Sequence, residues 1–136
     1  MPDSLIHLEI VTPSRVVFSE DVKSFTAPGI EGSFQVLPNH APFISTIIPG
    51  TLKFVTRDNF TNYFATSGGT VEVHANKITM LAESLIPADQ INREEAEREK
   101  SEAEKILDSK EPGTDRESAK QKLLTAKAKI KTAQNA

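Results

Sequence analysis

The sequence predicts two structural parts, a β-sandwich of antiparallel strands over residues 1–86 and an antiparallel α-helical hairpin over residues 87–136. Two observations support this division. Up to about Leu85, apolar residues recur at every second position in short runs, as in half-buried strands. From residue 89 onward they recur every three or four positions among good helix formers, as on one face of a helix.

The first part contains nine strand-like runs. In "LIHLEIV" (5–11), Ile6, Leu8 and Ile10 alternate with the other residues and give one wholly apolar face. The paired glycines of "SGGT" (67–70) predict a hairpin turn. The other runs, separated by turns rich in Gly, Pro and Asn, are 15–18, 22–27, 33–37, 43–48, 52–56, 61–66, 70–73 and 77–82.

The second part contains two predicted helices. Asn92 followed by Glu95 indicates an N-cap with its box partner, and the first helix is expected to stop at "EPG" (111–113). Thr114 and Glu117 form a second Thr-x-x-Glu pattern, so we expect the second helix to be capped at Thr114.

The predicted helices face each other with thin apolar stripes and opposite charges. Residues 93–111 carry five basic and eight acidic residues, whereas residues 115–136 carry six basic and two acidic ones. Opposite charges favour an antiparallel hairpin, and stripes rich in alanine bury little area, so we expect a hairpin that can dock, undock or extend. The stripes are Ile91, Ala96, Ala103, Ile106 and Leu107 in the first helix, and Ala119, Leu123, Ala126, Ile130 and Ala133 in the second.

Composition excludes several classes of function. A net charge of -3, a single Tyr and no Trp argue against nucleic acid as a partner. The absence of cysteine excludes disulfides and thiol chemistry, and no apolar run is long enough to span a bilayer. We therefore expect a folded protein of a reducing compartment that meets a membrane only through a partner.

No motif for catalysis, a metal or a cofactor is present. The sequence lacks both G-x-x-x-x-G-K-[ST] and G-x-G-x-x-G, and no G-x-S-x-G elbow occurs. The histidines are far apart in sequence, so a metal site would need tertiary coincidence. We expect His7 and His74 to be strand residues on the solvent side, and the protein not to be an enzyme.

His40 stands between two prolines in "PNHAP" (38–42). The prolines fix the backbone and predict a stiff, exposed connection with Asn39 and His40 at its tip. Such a histidine could act as a general base, satisfy backbone groups of the turn or touch a partner; with no acid or nucleophile beside it, the last two roles are favoured.

A basic run in the second helix has two interpretations. It is either a solvated face that complements the acidic first helix or a docking strip for an acidic partner. Its members are Lys120, Lys122, Lys127, Lys129 and Lys131.

The order of motifs resembles one family. "EGSFQVLPNHAPFISTIIPG" (31–50), "SGG" (67–69), "VEV" (71–73) and "ITMLAESLI" (78–86), followed by a helical pair, are similar to epsilon subunits of the F-type ATP synthase. The resemblance implies a sandwich of about ten strands with a helical hairpin. It also implies a non-catalytic subunit of the central rotor stalk that couples proton flow to ATP synthesis.

The family's partners follow from the same resemblance. The sandwich is expected to pack on the gamma subunit and the ring of membrane c subunits, and the C-terminal helices to rise towards the alpha/beta catalytic hexamer and inhibit ATP hydrolysis. The location implied is peripheral, on the cytoplasmic face of the bacterial inner membrane. Loops at the bottom of the sandwich are expected to meet the c ring, and by position in the motif they carry Glu31, Gly32 and Ser33, together with Asn39 and His40.

One departure concerns regulatory ATP. Members that bind ATP on the hairpin carry an Ile/Leu-Asp-x-x-Arg-Ala pattern, which aligns with Ile91, Asn92, Glu95 and Ala96 and the two residues between. A glutamate at the position of a phosphate-facing arginine repels the nucleotide, so weak or absent ATP binding is expected.

Two other functions stay open on the sequence. One is a free-standing binding module whose hairpin forms oligomers, which predicts self-association of the isolated chain. The other is an enzyme that uses His40, for which His40→Ala would abolish turnover.

Overall fold

The structure is a computed structural model that describes residues 4–109 and 115–135. Nine strands form in the described residues, and the runs predicted at 15–18 and 22–27 are parts of one long strand. A short strand that the sequence pattern did not predict follows at Leu85–Pro87. The strands are β1 Ile6–Val11, β2 Val16–Gly29, β3 Gly32–Val36, β4 Phe43–Ile47, β5 Gly50–Thr56, β6 Thr61–Thr66, β7 Gly69–His74, β8 Lys77–Ala82 and β9 Leu85–Pro87.

The strands pack as a sandwich in which β2 belongs to both layers. One layer contains β1, β8, β7 and β4, and the other contains β3, β2, β5, β6 and β9. The first half of β2 pairs with β1, and its second half pairs with β3 and β5. Almost all pairs are antiparallel as expected, but β1 and β8, which are far apart in the sequence, run parallel.

The core lies between the two layers. The inward positions of β1 predicted from period two are wholly buried, and they pack on side chains such as Phe25, Phe54 and Met80. Alternation of buried and exposed positions is therefore what holds each strand in register, since a slip of one residue would turn its apolar face to water.

The segment at "SGGT" corrects one expectation. It does not close a hairpin, because β6 and β7 lie in different layers and pair with other strands. Gly68 and Gly69 have φ of +132° and +152°, and they carry the chain from one layer to the other. A side chain on Gly69 would collide with the backbone carbonyl of Leu81, so this crossing requires glycine.

The C-terminal helices form the predicted hairpin. Helix α1 spans Arg93–Asp108 and helix α2 spans Arg116–Ala133. Asn92 caps α1 as expected, since its side chain accepts a hydrogen bond from the Glu95 backbone N–H at 3.0 Å. The expected stop at 111–113 lies outside the described residues.

The cap of the second helix is one residue from its expected place. Asp115, not Thr114, is the N-cap, and its carboxylate accepts from the Ser118 N–H at 3.0 Å. Both residue types cap helices, and the charged side chain also interacts favourably with the helix N-terminus. Thr114 itself lies outside the described residues.

Helix α2 contacts both α1 and the outer face of β5 and β6. The faces predicted to meet are buried mainly at their alanines, whereas Ile106, expected in the stripe of α1, is 39% exposed. The buried alanines are Ala96, Ala103, Ala119 and Ala126. Arg116 joins the two helices by donating to the carbonyl of Leu107 at 2.8 Å, near the C-terminus of α1. The hairpin is therefore folded down against the sandwich.

Candidate functional site

The turn between β2 and β3 carries the first predicted contact residues. Glu31, Gly32 and Ser33 are all exposed, and Gly32 has a φ of +125° with open space around it. A residue with that backbone conformation is strained unless it is glycine, so Gly32 permits this turn. The turn presents a carboxylate and a hydroxyl to the surroundings without burying either.

The loop between β3 and β4 carries Asn39 and His40. The Asn39 N–H donates to the side chain of Asn76 at 2.8 Å, and Asn76 in turn donates to the Leu5 carbonyl at 3.0 Å. His40 Nδ1 lies 2.7 Å from the Ala41 carbonyl, which can only accept, so this nitrogen carries a proton and donates. One imidazole nitrogen therefore hydrogen-bonds within the loop, and the Asn39–Asn76 hydrogen bond connects the loop to the turn between β7 and β8.

The two predicted contact loops were expected together at the bottom of the sandwich, but they lie at opposite ends of β3. That strand has five residues, which separates the loops by about 13 Å along its length. Between them, β3 and β4 enclose a shallow cavity of about 410 Å³, where Phe34 and Phe43 meet edge to face at 4.9 Å. His40 packs edge-on against Phe43 at 5.9 Å, so the aromatic pair links the cavity to the second loop.

Exposed apolar side chains mark two surfaces that the sequence interpretation missed. Ile30 and Ile44 are 62% and 74% exposed and line the cavity between β3 and β4. On the outer face of the same layer as Ile44, Val11, Pro13 and Leu81 line an apolar groove at the ends of β1 and β8, and Leu81 is 56% exposed. Grouped apolar exposure of this kind is typical of protein interfaces. A signal existed in the sequence, because Leu81 stands between the inward-facing positions 80 and 82.

His7 has more partners than a plain solvent-side strand residue. It is on the outer face of β1 as expected, but its Nδ1 lies 3.0 Å from Asp21 and its Nε2 lies 3.2 Å from the Ser19 hydroxyl. Arg57 also donates to Asp21 at 3.2 Å. Ser19 and Asp21 lie on a regular strand, without the strained elbow that exposes a serine nucleophile, so the cluster ties β1, β2 and the β5–β6 turn together. His74 is exposed on β7, as expected.

The lysines of α2 lie on two faces of the helix. Lys120, Lys127 and Lys131 are exposed and share one face, because their spacings of seven and four bring them into line. Lys129 lies elsewhere on the helix and is partly buried, and its ammonium pairs with Glu99 of α1 at 3.3 Å. Lys122, seven residues before Lys129, shares that second face. One lysine therefore complements the acidic helix, while three form an exposed row.

The residues aligned with the ATP motif have structural roles or face solvent. The Asn92 side chain is occupied as the cap of α1, and Ala96 is buried against α2. Glu95 is exposed in the first turn of α1, and Ile91 is partly buried. Within residues 4–109 and 115–135, no group of three or more His, Asp or Glu side chains could hold a metal ion.

Comparisons with known proteins identify both parts of the chain. The family model for the ATP synthase delta/epsilon chain β-sandwich domain matches residues 5–88. The model for the long α-helix domain of the same chains matches residues 89–134. The two models follow each other in the same order as the two structural parts.

Curated relatives cover nearly the whole chain. The ATP synthase epsilon chain of Nitratidesulfovibrio vulgaris (strain DP4) is 40% identical over 131 residues, which are 96% of this chain and 97% of the relative. That of Pelotomaculum thermopropionicum is 43% identical over 110 residues, 81% of each chain. These relatives disfavour a free-standing binding module.

Solved structures share the fold. A chain in the cryo-EM structure of the Euglena gracilis mitochondrial ATP synthase (OSCP/F1/c-ring) superposes with a TM-score of 0.85 at 20% identity, over 98% of this chain and 83% of that one. A chain of the Tetrahymena thermophila mitochondrial ATP synthase central stalk and c-ring gives 0.64 at 20% identity, over 93% and 95%. The family models and the curated relatives together show that the chain belongs to the ATP synthase epsilon chains, which are non-catalytic subunits of the proton-translocating F-type ATP synthase.

Proposed function

We propose that this chain works in the central stalk, where it joins the gamma subunit to the c ring and helps to couple proton translocation to ATP synthesis. The observation that carries the proposal is the match of both structural parts, in order, to epsilon chains over 96% of the chain. The Tetrahymena neighbour, which is part of a central stalk and c-ring structure, supports the same position.

The two contact loops serve different contacts. Glu31 to Ser33 and Asn39 with His40 lie at opposite ends of β3, so a single flat partner surface would not meet both loops end-on. A subunit that lies between the c ring and the gamma subunit needs contacts at separate places on its surface. Gly32 permits the tight turn of the first contact, and hydrogen bonds made by Asn39 and His40 hold the second loop in its conformation.

The apolar groove at Val11, Pro13 and Leu81 supports a lasting contact with gamma. Protein interfaces have apolar centres with polar rims, and this groove is almost entirely apolar. The Glu31 turn, where the exposed Ile30 and Ile44 line the cavity beside the carboxylate, is left for the contact with the c ring.

The hairpin is the regulatory part. Its seams consist largely of alanine, so docked and undocked states differ by little free energy, and a partner can shift the balance. The row formed by Lys120, Lys127 and Lys131 then offers three charges to acidic segments of the catalytic hexamer. In the raised position the hairpin inhibits ATP hydrolysis.

The hairpin works without a regulatory nucleotide. Asn92 is used as a helix cap, and the carboxylate of Glu95 stands where the family motif places an arginine. We expect a calorimetric titration of the isolated chain with ATP to give no binding at sub-millimolar concentrations, and clear saturation in that range would contradict the proposal. Glu95→Arg, which restores the motif charge, is the matched variant.

The membrane association is indirect. Within the described residues, neither helix is long and apolar enough to cross a bilayer. The chain is held peripherally, on the cytoplasmic face of the bacterial inner membrane, through the complex.

Co-purification tests the proposed position. Tagged chain should bring down gamma together with the catalytic hexamer, and Leu81→Asp, which places a charge in the apolar groove, should weaken that capture. Glu83→Gln, at the rim of the same groove, is the control and should leave it unchanged. Failure of the unaltered chain to capture gamma would refute the proposal.

A further inference from the structure

Helix α2 has a second buried face that no apolar stripe in the sequence indicates. Ala128 and Thr132, four residues apart, share a face of the helix and are 6% and 0% exposed. The Thr132 hydroxyl lies 2.7 Å from the Thr51 hydroxyl on β5, so this face points at the sheet. It is distinct from the face that meets α1.

The opposing surface of the sandwich is also made of small residues. Thr51 lies directly opposite Ala65 in the β5–β6 pairing, so both belong to the outer face of the sheet. Ala65 is nevertheless only 3% exposed, because α2 covers it. A seam of alanines and threonines brings the backbones close but removes little apolar area from water, so its apolar contribution to docking is small.

Among the described residues, the hydrogen bond between the Thr51 and Thr132 hydroxyls links the side chains of the sandwich to those of the hairpin. Thr51 and Thr132 are 81 residues apart, one in each part of the chain. Among those residues every buried side-chain polar atom has a partner, and for the wholly buried Thr132 hydroxyl that partner is Thr51. When the hairpin lifts away, both hydroxyls return to water and lose nothing.

We propose that the Thr51–Thr132 hydroxyl pair positions the hairpin on the sandwich and sets the ratio of docked to undocked chains. The consequence for ATP hydrolysis rests on the regulatory role proposed above, but the docking ratio itself does not. Thr51 and Thr132 are positioning residues in this scheme: they place the hairpin and touch no reacting atom.

The pair makes an unusual prediction about single and double substitutions. Valine has the shape of threonine without the hydroxyl, so Thr51→Val or Thr132→Val alone leaves one hydroxyl partnerless at the seam. Leaving a buried polar group unsatisfied costs more than the hydrogen bond itself gains. Thr51→Val strands the wholly buried Thr132 hydroxyl and should raise the undocked fraction about five-fold or more, whereas Thr132→Val strands the partly exposed Thr51 hydroxyl and should raise it less. Replacing both removes both polar groups and should restore docking. Thr132→Ser keeps the hydroxyl and should behave as the parent.

The chain has no cysteine, which allows a direct measurement. Cysteines at the exposed positions Thr61 on β6 and Ser101 on α1 can carry a donor and an acceptor dye, and single-molecule energy transfer then counts docked and undocked full-length chains. Thr70→Val, on exposed β7 in the other layer, controls for the substitution itself. Circular dichroism checks that helicity is kept.

The undocked fractions of the single and double valine variants decide between the proposal and its alternatives. A rise in the undocked fraction for each single valine variant, reversed in the double variant, is the expected result. Single variants that dock like the parent, or a double variant as undocked as the sum of the singles, would overturn the proposal. If docking changes as expected while hydrolysis by the assembled enzyme does not, the positioning role stands and the inhibitory role of the hairpin fails.

Discussion

At the scale of single residues, glycine and capping positions decide local structure. Asn92 was predicted as a cap from its side-chain chemistry, and the same residue is found accepting from Glu95. The glycines at 68 and 69 were predicted for a different turn, because a positive φ can be inferred from glycine whereas the strand that follows it cannot. Gly69 lies close to the Leu81 carbonyl only in the folded chain, so the local sequence pattern could not predict this contact.

Gly69→Ala tests that close approach. The added carbon would meet the backbone of β8, which cannot move without breaking the sheet, so we expect a loss of about 3 kcal/mol or more in the free energy of unfolding. Gly32→Ala is the control, because it imposes a positive φ on alanine with nothing within 4 Å, and about 1 kcal/mol is expected. Equal losses in urea denaturation of the two variants would contradict the steric explanation.

At the scale of elements, periodicity predicted the strands and one face of each helix. The alternation in residues 5–11 gave β1 because its inward positions are all apolar, and the stripe through Ala119 and Ala126 gave the seam with α1. The second buried face of α2 escaped prediction because Ala128 and Thr132 carry no strong hydrophobic signal. Which face of the sandwich the hairpin covers depends on such small residues.

The ion pair between Lys129 and Glu99 should contribute to the seam between the helices. Both side chains are partly exposed, so solvent screens the pair, and Lys129→Glu should destabilise the hairpin by only about 0.5–1 kcal/mol. Exchanging both residues, in Lys129→Glu with Glu99→Lys, should recover most of the loss in thermal melts of helicity. Lys127→Glu, at an exposed position of the same helix, is the matched control. An exchange that recovers nothing would show that the pair does not act as a unit.

At the scale of the whole molecule, the division into a sandwich and a hairpin was evident from the change in period near residue 87. The contact loops were located only through the family resemblance, and their roles stay predictions. Their separation by β3, the cavity between β3 and β4, and the apolar groove at the ends of β1 and β8 could be located only from the fold. The sequence could not indicate these features, since side chains such as Ile44 and Leu81 become a surface only when β1, β4 and β8 are placed together.

For the whole molecule, we propose that the sandwich anchors the chain in the complex while the weakly docked hairpin regulates it. The most direct test is ATP hydrolysis by F-type ATP synthase assembled with the full chain or with a chain truncated before residue 89, at equal occupancy confirmed by co-purification. We expect the truncated chain to assemble through its sandwich and the rate of hydrolysis to rise. An unchanged or lower rate with the truncated chain in place would contradict the account.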